Sequence, residues 1–165
     1  MCDEGRLSYK AENEGRLVEA SIAKQARSID EVLAACEKEI GRAEKVAIAI
    51  SPNCSLEQMV TVKALAEKLE APLSGFSDGC LKKGDGDDYL IQDDKSANRA
   101  GLNILGIDCS KNGFETTVAE ANLLINFNND LSLSFQEKEL KTLLKDTKII
   151  AFATHDNECT KMADV

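Results

Sequence analysis

The stretch Val46-Ala47-Ile48-Ala49-Ile50 constrains this chain more than any other. It is wholly apolar, does not alternate with polar residues, and is short for a helix. β-Branched residues at every second position favour an extended backbone. A strand with no polar side has both faces covered, which is the habit of strands in parallel sheets. Two more short apolar runs, Asn122-Leu123-Leu124-Ile125-Asn126-Phe127 and Lys148-Ile149-Ile150-Ala151-Phe152-Ala153, are also read as strands.

Helices are expected around these strands. Ser28-Ile29-Asp30-Glu31 and Ser55-Leu56-Glu57-Gln58 are capping boxes, in which a hydroxyl and a carboxylate or amide satisfy each other's unpaired backbone N–H groups. After the first, Ile29, Val32, Leu33, Cys36 and Ile40 share one helical face, with Gly41 as the expected stop. After the second, Leu56, Met59, Val60, Leu65, Ala66 and Leu69 form an apolar side as far as Pro72. A third box, Ser134-Phe135-Gln136-Glu137, is expected to open a helix carrying Phe135, Leu140, Leu143 and Leu144. Strand, helix and strand over 122–153 have the length of a βαβ unit, about 30 residues. The expected fold class is α/β, a Rossmann-like parallel sheet flanked by helices. Residues 74–88 read as an acidic, glycine-rich loop, and Tyr89-Leu90-Ile91 as at most a short extended piece. Asn98 to Ile107 is mixed, and residues 1–27 are polar with little periodicity.

The length, 165 residues, suits one domain. Acidic residues exceed basic ones, 29 against 20, for a net charge of −9. That balance argues against nucleic acid as the main ligand and against an anionic membrane surface. No apolar run approaches the ~18 residues of a membrane-spanning helix, so no direct membrane insertion is expected. The start, Met1-Cys2-Asp3-Glu4-Gly5-Arg6, is charged with no apolar core behind it, so no secretory signal is expected. Cys2, Cys36, Cys54, Cys80, Cys109 and Cys159 are dispersed and form no C-x-x-C pair, which suits reduced thiols in a cytoplasmic setting.

Local motifs offer little chemistry. The loop Gly84-Asp85-Gly86-Asp87-Asp88 fails the EF-hand pattern, because Tyr89 stands at the fifth position counted from Asp85. Gly84-x-Gly86 lacks a third glycine, and its two following acids would repel a pyrophosphate. His155, the single histidine, has Cys159 four residues on, but zinc wants three or four ligands. Ser51 follows a strand without the glycines of a hydrolase elbow. Asn53-Cys54-Ser55 matches a glycosylation sequon by chance if the chain has no secretory route. Cys36, on the apolar helix face, reads as a small buried hydrophobe.

Four segments, taken in order, resemble one family. Met1-Cys2-Asp3-Glu4-Gly5-Arg6-Leu7-Ser8-Tyr9 is similar to the M-C-D-E-G-R-F-x-Y segment of the large iron–sulfur subunit of bacterial respiratory complex I, the NADH-quinone oxidoreductase. Ser51-Pro52 with Ser55-Leu56-Glu57 resembles its S-P-x-x-S-L-E-E turn and helix. Asp88-Tyr89-Leu90-Ile91 through Asp94-Lys95-Ser96-Ala97-Asn98-Arg99-Ala100-Gly101 to Leu105-Gly106 resembles D-x-L-I-x-x-D-K-x-P-N-R-x-G-A-x-x-L-G, with Ala97 in place of proline. His155-Asp156-Asn157-Glu158-Cys159-Thr160-Lys161-Met162-Ala163-Asp164-Val165 resembles H-x-N-E-T-T-x-x-A-D-V, with Cys159 in place of threonine.

The resemblance implies a fragment of a molybdopterin oxidoreductase-type fold. Residues 1–27 would close an iron–sulfur/molybdopterin N-terminal segment, and 28–165 would form an α/β molybdopterin oxidoreductase-like domain, incomplete at its C-terminus. It implies a structural part of the subunit, supporting electron transfer from NADH to quinone in the peripheral arm, with other subunits of a respiratory or redox complex as partners. The location it implies is cytoplasmic, peripheral on the inner membrane. The alternative is a fragment of a formate dehydrogenase-type molybdopterin-dependent catalytic subunit. Cys2 matches the last ligand of a four-iron cluster found in some members. One thiolate cannot hold such a cluster, so Cys2 is a metal ligand only in a longer parent or with a partner, and otherwise a free terminal thiol. No catalytic residue and no cofactor of this fragment alone is expected. Ser51 to Ser55 and His155 to Thr160 would follow strands, where the family places pterin phosphates; helix capping is the simpler expectation there. A fragment lacking its sheet neighbours is expected to expose apolar edges.

Overall fold

The computed structural model describes residues 9, 13–77, 79, 81–87 and 89–165. Cys2 and the rest of the first resemblance segment up to Ser8 lie outside the described residues, as does Cys80. Within the segment read as featureless, Ser21–Ile22 (β1) and Gln25–Ala26 (β2) form an antiparallel hairpin. Its two turn residues, Ala23 and Lys24, have φ of 48° and 63°, a left-handed pair ordinarily given to Asn-Gly.

The body is one parallel sheet between two layers of helices. Ile29–Arg42 (α1) begins at a formed capping box on Ser28, whose hydroxyl accepts the Glu31 N–H while the Glu31 carboxylate accepts the Ser28 N–H at 3.0 Å. The helix passes through Gly41 and stops at Ala43, so the expected glycine stop is not used. Val46–Ile50 (β3) leads through a turn into Leu56–Lys68 (α2), which starts at the capping box of Ser55 and Gln58. Leu73–Ser74 (β4) is followed by Arg99–Ile104 (α3), Lys111–Ala119 (α4), Leu123–Phe127 (β5), Glu137–Leu143 (α5), Lys148–Phe152 (β6) and Glu158–Met162 (α6). The strand order is β4-β3-β5-β6, all parallel, with Ile48 opposite both Leu73 and Ile125, and Ile125 opposite Ile150.

The third expected capping box does not form. Residues Leu131–Leu133 make a 3-10 turn whose cap is Asp130, Ser134 closes that turn, and α5 starts after Gln136 without a side-chain cap. The Asp130 carboxylate accepts the Ser132 N–H at 3.1 Å, and so takes the role expected of Ser134 one turn early.

Strand alternation sorts the core. Ile48, Ile50, Leu123, Ile125 and Ile150 face Cys36 of α1, Met59, Val62 and Ala66 of α2, and Leu102 of α3. Ala47, Ala49, Leu124 and Ile149 face Phe114 and Val118 of α4, Leu140 of α5 and Cys159 of α6. On that second side the small Ala47 and Ala49 accompany three large rings. Phe76, Phe114 and Phe135 lie with centroids 5.5–5.9 Å apart, so strand residues with little volume leave room for aromatic packing. No helix among the described residues is long and apolar enough to cross a membrane.

Candidate functional site

From β3 the chain steps to β4 on one side; from β4 it crosses back over β3 to β5. The connections after β3 and β5 therefore diverge to opposite faces. At the carboxyl ends of such strands an α/β sheet opens its crevice. Three loops meet at this end of the sheet: Ser51 to Cys54, Asn128 to Asp130, and Ala153 to Asn157.

The first loop is a tight structural turn. Ser51 is buried, donates its N–H to the Phe127 carbonyl at 2.9 Å, and accepts the Asn53 N–H on its hydroxyl at 3.1 Å. The segment before α3 is clipped onto it. Ala97 N–H reaches Asn53 Oδ1 at 3.0 Å, Asn98 N–H reaches the Pro52 carbonyl at 2.8 Å, and Asn98 Nδ2 reaches the Cys54 carbonyl at 3.2 Å. Asn98 Oδ1 also caps α3 through the Gly101 N–H. An ion pair between Arg99 and Asp94 closes the clip, and the Arg99 guanidinium donates to the Ser77 carbonyl at 2.9 Å. Ser51 to Ser55 thus serve turn formation and helix capping.

Asn126 and Asn129 are a pair that sequence reasoning missed; the signal was a polar residue inside an apolar strand. Asn126 Nδ2 donates to the Asn129 carbonyl at 2.7 Å, and Asn129 Nδ2 to the Phe76 carbonyl at 2.8 Å. Both are buried, and the Oδ1 atom of each lacks a hydrogen-bond partner among the described residues.

His155 sits in the third loop with its Nδ1 at 2.9 Å from Thr154 Oγ1, and its backbone bridges to Arg16. Asn157 and Thr160 make a capping box that opens α6. Cys159 is turned the other way, into the core beneath α6, where burial pushes its thiol up to about 11. His155 and Cys159 therefore do not form a ligand pair. Burial also raises the thiols of Cys36, Cys54 and Cys109. Thiols buried or half-buried, held toward the protonated form and divided between the two faces of the sheet, do not fit a four-iron cluster. Among the described residues no three His, Cys, Asp or Glu side chains group as a metal would need. The acidic loop is held by its own amides: Asp87 Oδ1 accepts the N–H groups of Ile91, Leu90 and Tyr89, which keep its carboxyl below the ordinary range.

An apolar groove of about 1590 Å³ opens between α1, the β1–β2 hairpin and the ends of β5 and β6. Phe127 and Phe152 stack on its floor with centroids 4.9 Å apart and planes 6° from parallel. Ile29 and Leu33 on the rim of α1 are 69% and 48% exposed, and Phe152 is 41% exposed. Such a surface suits contact with another apolar surface more than acid–base chemistry. Comparison with protein-family models, with curated proteins and with solved structures finds no match.

Proposed function

We propose that this chain is a structural segment of the large iron–sulfur subunit of a respiratory NADH-quinone oxidoreductase, in its molybdopterin oxidoreductase-like region. Its work is to present a rigid α/β surface on which neighbouring parts of the peripheral arm rest while electrons pass along iron–sulfur clusters held elsewhere. The observation that carries this reading is the apolar groove. Large side chains of α1 and β6 stand exposed beside a well-filled core, as expected of a body whose neighbours belong to a larger assembly.

Further support comes from what the resembling segments do. Ser51 to Ser55 and Asp94 to Gly101 clip onto each other, and the segment from His155 to Val165 ties β6 to residues 15–23. Each is occupied with caps, turns and ladders. On this reading the chain is cytoplasmic and reaches the membrane only through its complex, and a cluster ligand at Cys2 belongs to the longer parent.

The test is co-elution. The purified chain is mixed with the cluster-bearing N-terminal portion of such a subunit and its NADH-oxidising partner. A stoichiometric complex, with no NADH- or formate-dependent dye reduction by the chain alone, is expected. Separate elution, or turnover by the chain alone, contradicts the reading.

A further inference from the structure

A buried polar seam crosses three strands near the carboxyl end of the sheet. Ser74 of β4 and Asn126 of β5 both stand opposite Ala49 of β3. Alternation puts Asn126 on the same face of β5 as Leu124, the side of the sheet that packs Phe76, Phe114 and Phe135. Ser74 is fully buried, and Asn126 and Asn129 are 3% and 1% exposed.

The donors of this seam go to backbone carbonyls. The Ser74 hydroxyl donates to the Asp108 carbonyl at 3.3 Å and accepts the Phe76 N–H at 3.2 Å. Asn126 Nδ2 donates to the Asn129 carbonyl, and Asn129 Nδ2 to the Phe76 carbonyl. That last bond ties the exit of β5 to the exit of β4, the two strands that flank β3. Two acceptors are left over. No hydrogen-bond donor of the described residues reaches Oδ1 of Asn126 or of Asn129, and both atoms are closed off from bulk solvent. A buried polar atom without a partner costs about 1–3 kcal/mol, and native folds seldom keep two in one seam.

We propose that the seam is an internal water site, in which water held between the exits of β4 and β5 donates to Oδ1 of Asn126 and of Asn129. The chemistry selects water. Both open positions accept protons, so the ligand must donate. A hard metal ion takes about six or more oxygen ligands, and two amide oxygens on an aromatic face fall short of that. The closure of both atoms keeps larger molecules out. Ala49 sets only a methyl group between Ser74 and Asn126, which leaves volume for the water. Here the strand order reverses, where an α/β sheet ordinarily opens toward a ligand; in this chain the water closes that position and fixes the loop after β5. The site is internal to the sheet and does not rest on the function proposed above.

The test is a high-resolution crystal structure of the full chain and of Asn126→Leu. In the parent, ordered water is expected about 2.5–3.0 Å from Oδ1 of Asn126 and of Asn129. Asn126→Leu is expected to lose the water at residue 126. Either Oδ1 without water in the parent, a protein donor or an ion in its place, or water that keeps its position beside Leu in the variant overturns the proposal. If Asn126→Leu does not fold, the parent density alone decides. The crystals hold this chain by itself, so failure here and failure of co-elution are told apart.

Discussion

The rings of Phe127 and Phe152 stack face to face on neighbouring parallel strands, 4.9 Å between centroids. Phe152 forms the outer member and keeps much of its surface open to the groove. Packed aromatic pairs contribute about 0.5–1.5 kcal/mol beyond the area they bury. A double-mutant cycle of Phe127→Leu and Phe152→Leu, read by urea unfolding, is expected to give a coupling in that range. A coupling near zero would mean that the stack is incidental.

Asn98 does three jobs at once, capping α3 and holding the Pro52 and Cys54 carbonyls of the turn after β3. Asn98→Ala removes the cap and the Cys54 bond together, and is expected to cost about 2 kcal/mol. Asn98→Asp keeps the capping oxygen and loses only the amide donor, so its cost is smaller. The denaturation midpoints of the two variants, at unchanged m-value, check the order.

Cys159 is buried under α6 with its thiol raised from an ordinary value of 9.0 to about 11. A folded-state pKa above the unfolded one means that the folded state resists losing this proton. Stability from this group is therefore full below pH 9 and is lost as pH rises through about 11, by about 2–3 kcal/mol. Unfolding midpoints between pH 8 and 11 should fall more steeply in the parent than in Cys159→Ala. Cys36, Cys54 and Cys109 shift in the same direction and add to the slope in both proteins.

The hairpin turn holds Ala23 and Lys24 in left-handed conformations. Replacing the pair by Asn-Gly relieves both while keeping the residue 23 N–H that binds the Asp164 carbonyl at 2.8 Å. A gain of about 0.5–1 kcal/mol is expected. A lowered melting temperature would mean that the side chains at 23 and 24 hold something else.

Much of the fold was legible because its strongest signals are local. β3 and β5 are short apolar runs buried on both faces, β6 is buried at Ile149 and Ile150, and Ser28 and Ser55 form the boxes their spacing announced. β4 is two residues long and borrows its order from β3, so no period could reveal it. α4 escaped notice although Ser110 caps it and Phe114 and Val118 are spaced for one face. Ser134 shows the limit of a motif: its hydroxyl had the right spacing, but Asp130 opens a 3-10 turn that Ser134 closes. The groove was legible only in kind. Exposed apolar surface was expected, but its lining comes from segments as far apart as Leu17 and Val165, which only the folded chain brings together. Ser51 and His155 were rightly placed after strands, yet their partners are backbone and neighbouring hydroxyl groups.

The most direct measurement is sedimentation of the chain with the partner subunits, repeated with Phe152→Asp. The substituted side chain stands at the open floor of the groove, so the variant should fold with a nearly unchanged core, checked by Ile125 exchange protection. If the groove is the contact surface, the parent chain sediments as a stoichiometric complex and Phe152→Asp sediments alone. If the variant joins the complex as readily as the parent, the groove is not where this chain is held, and the structural role proposed for it fails.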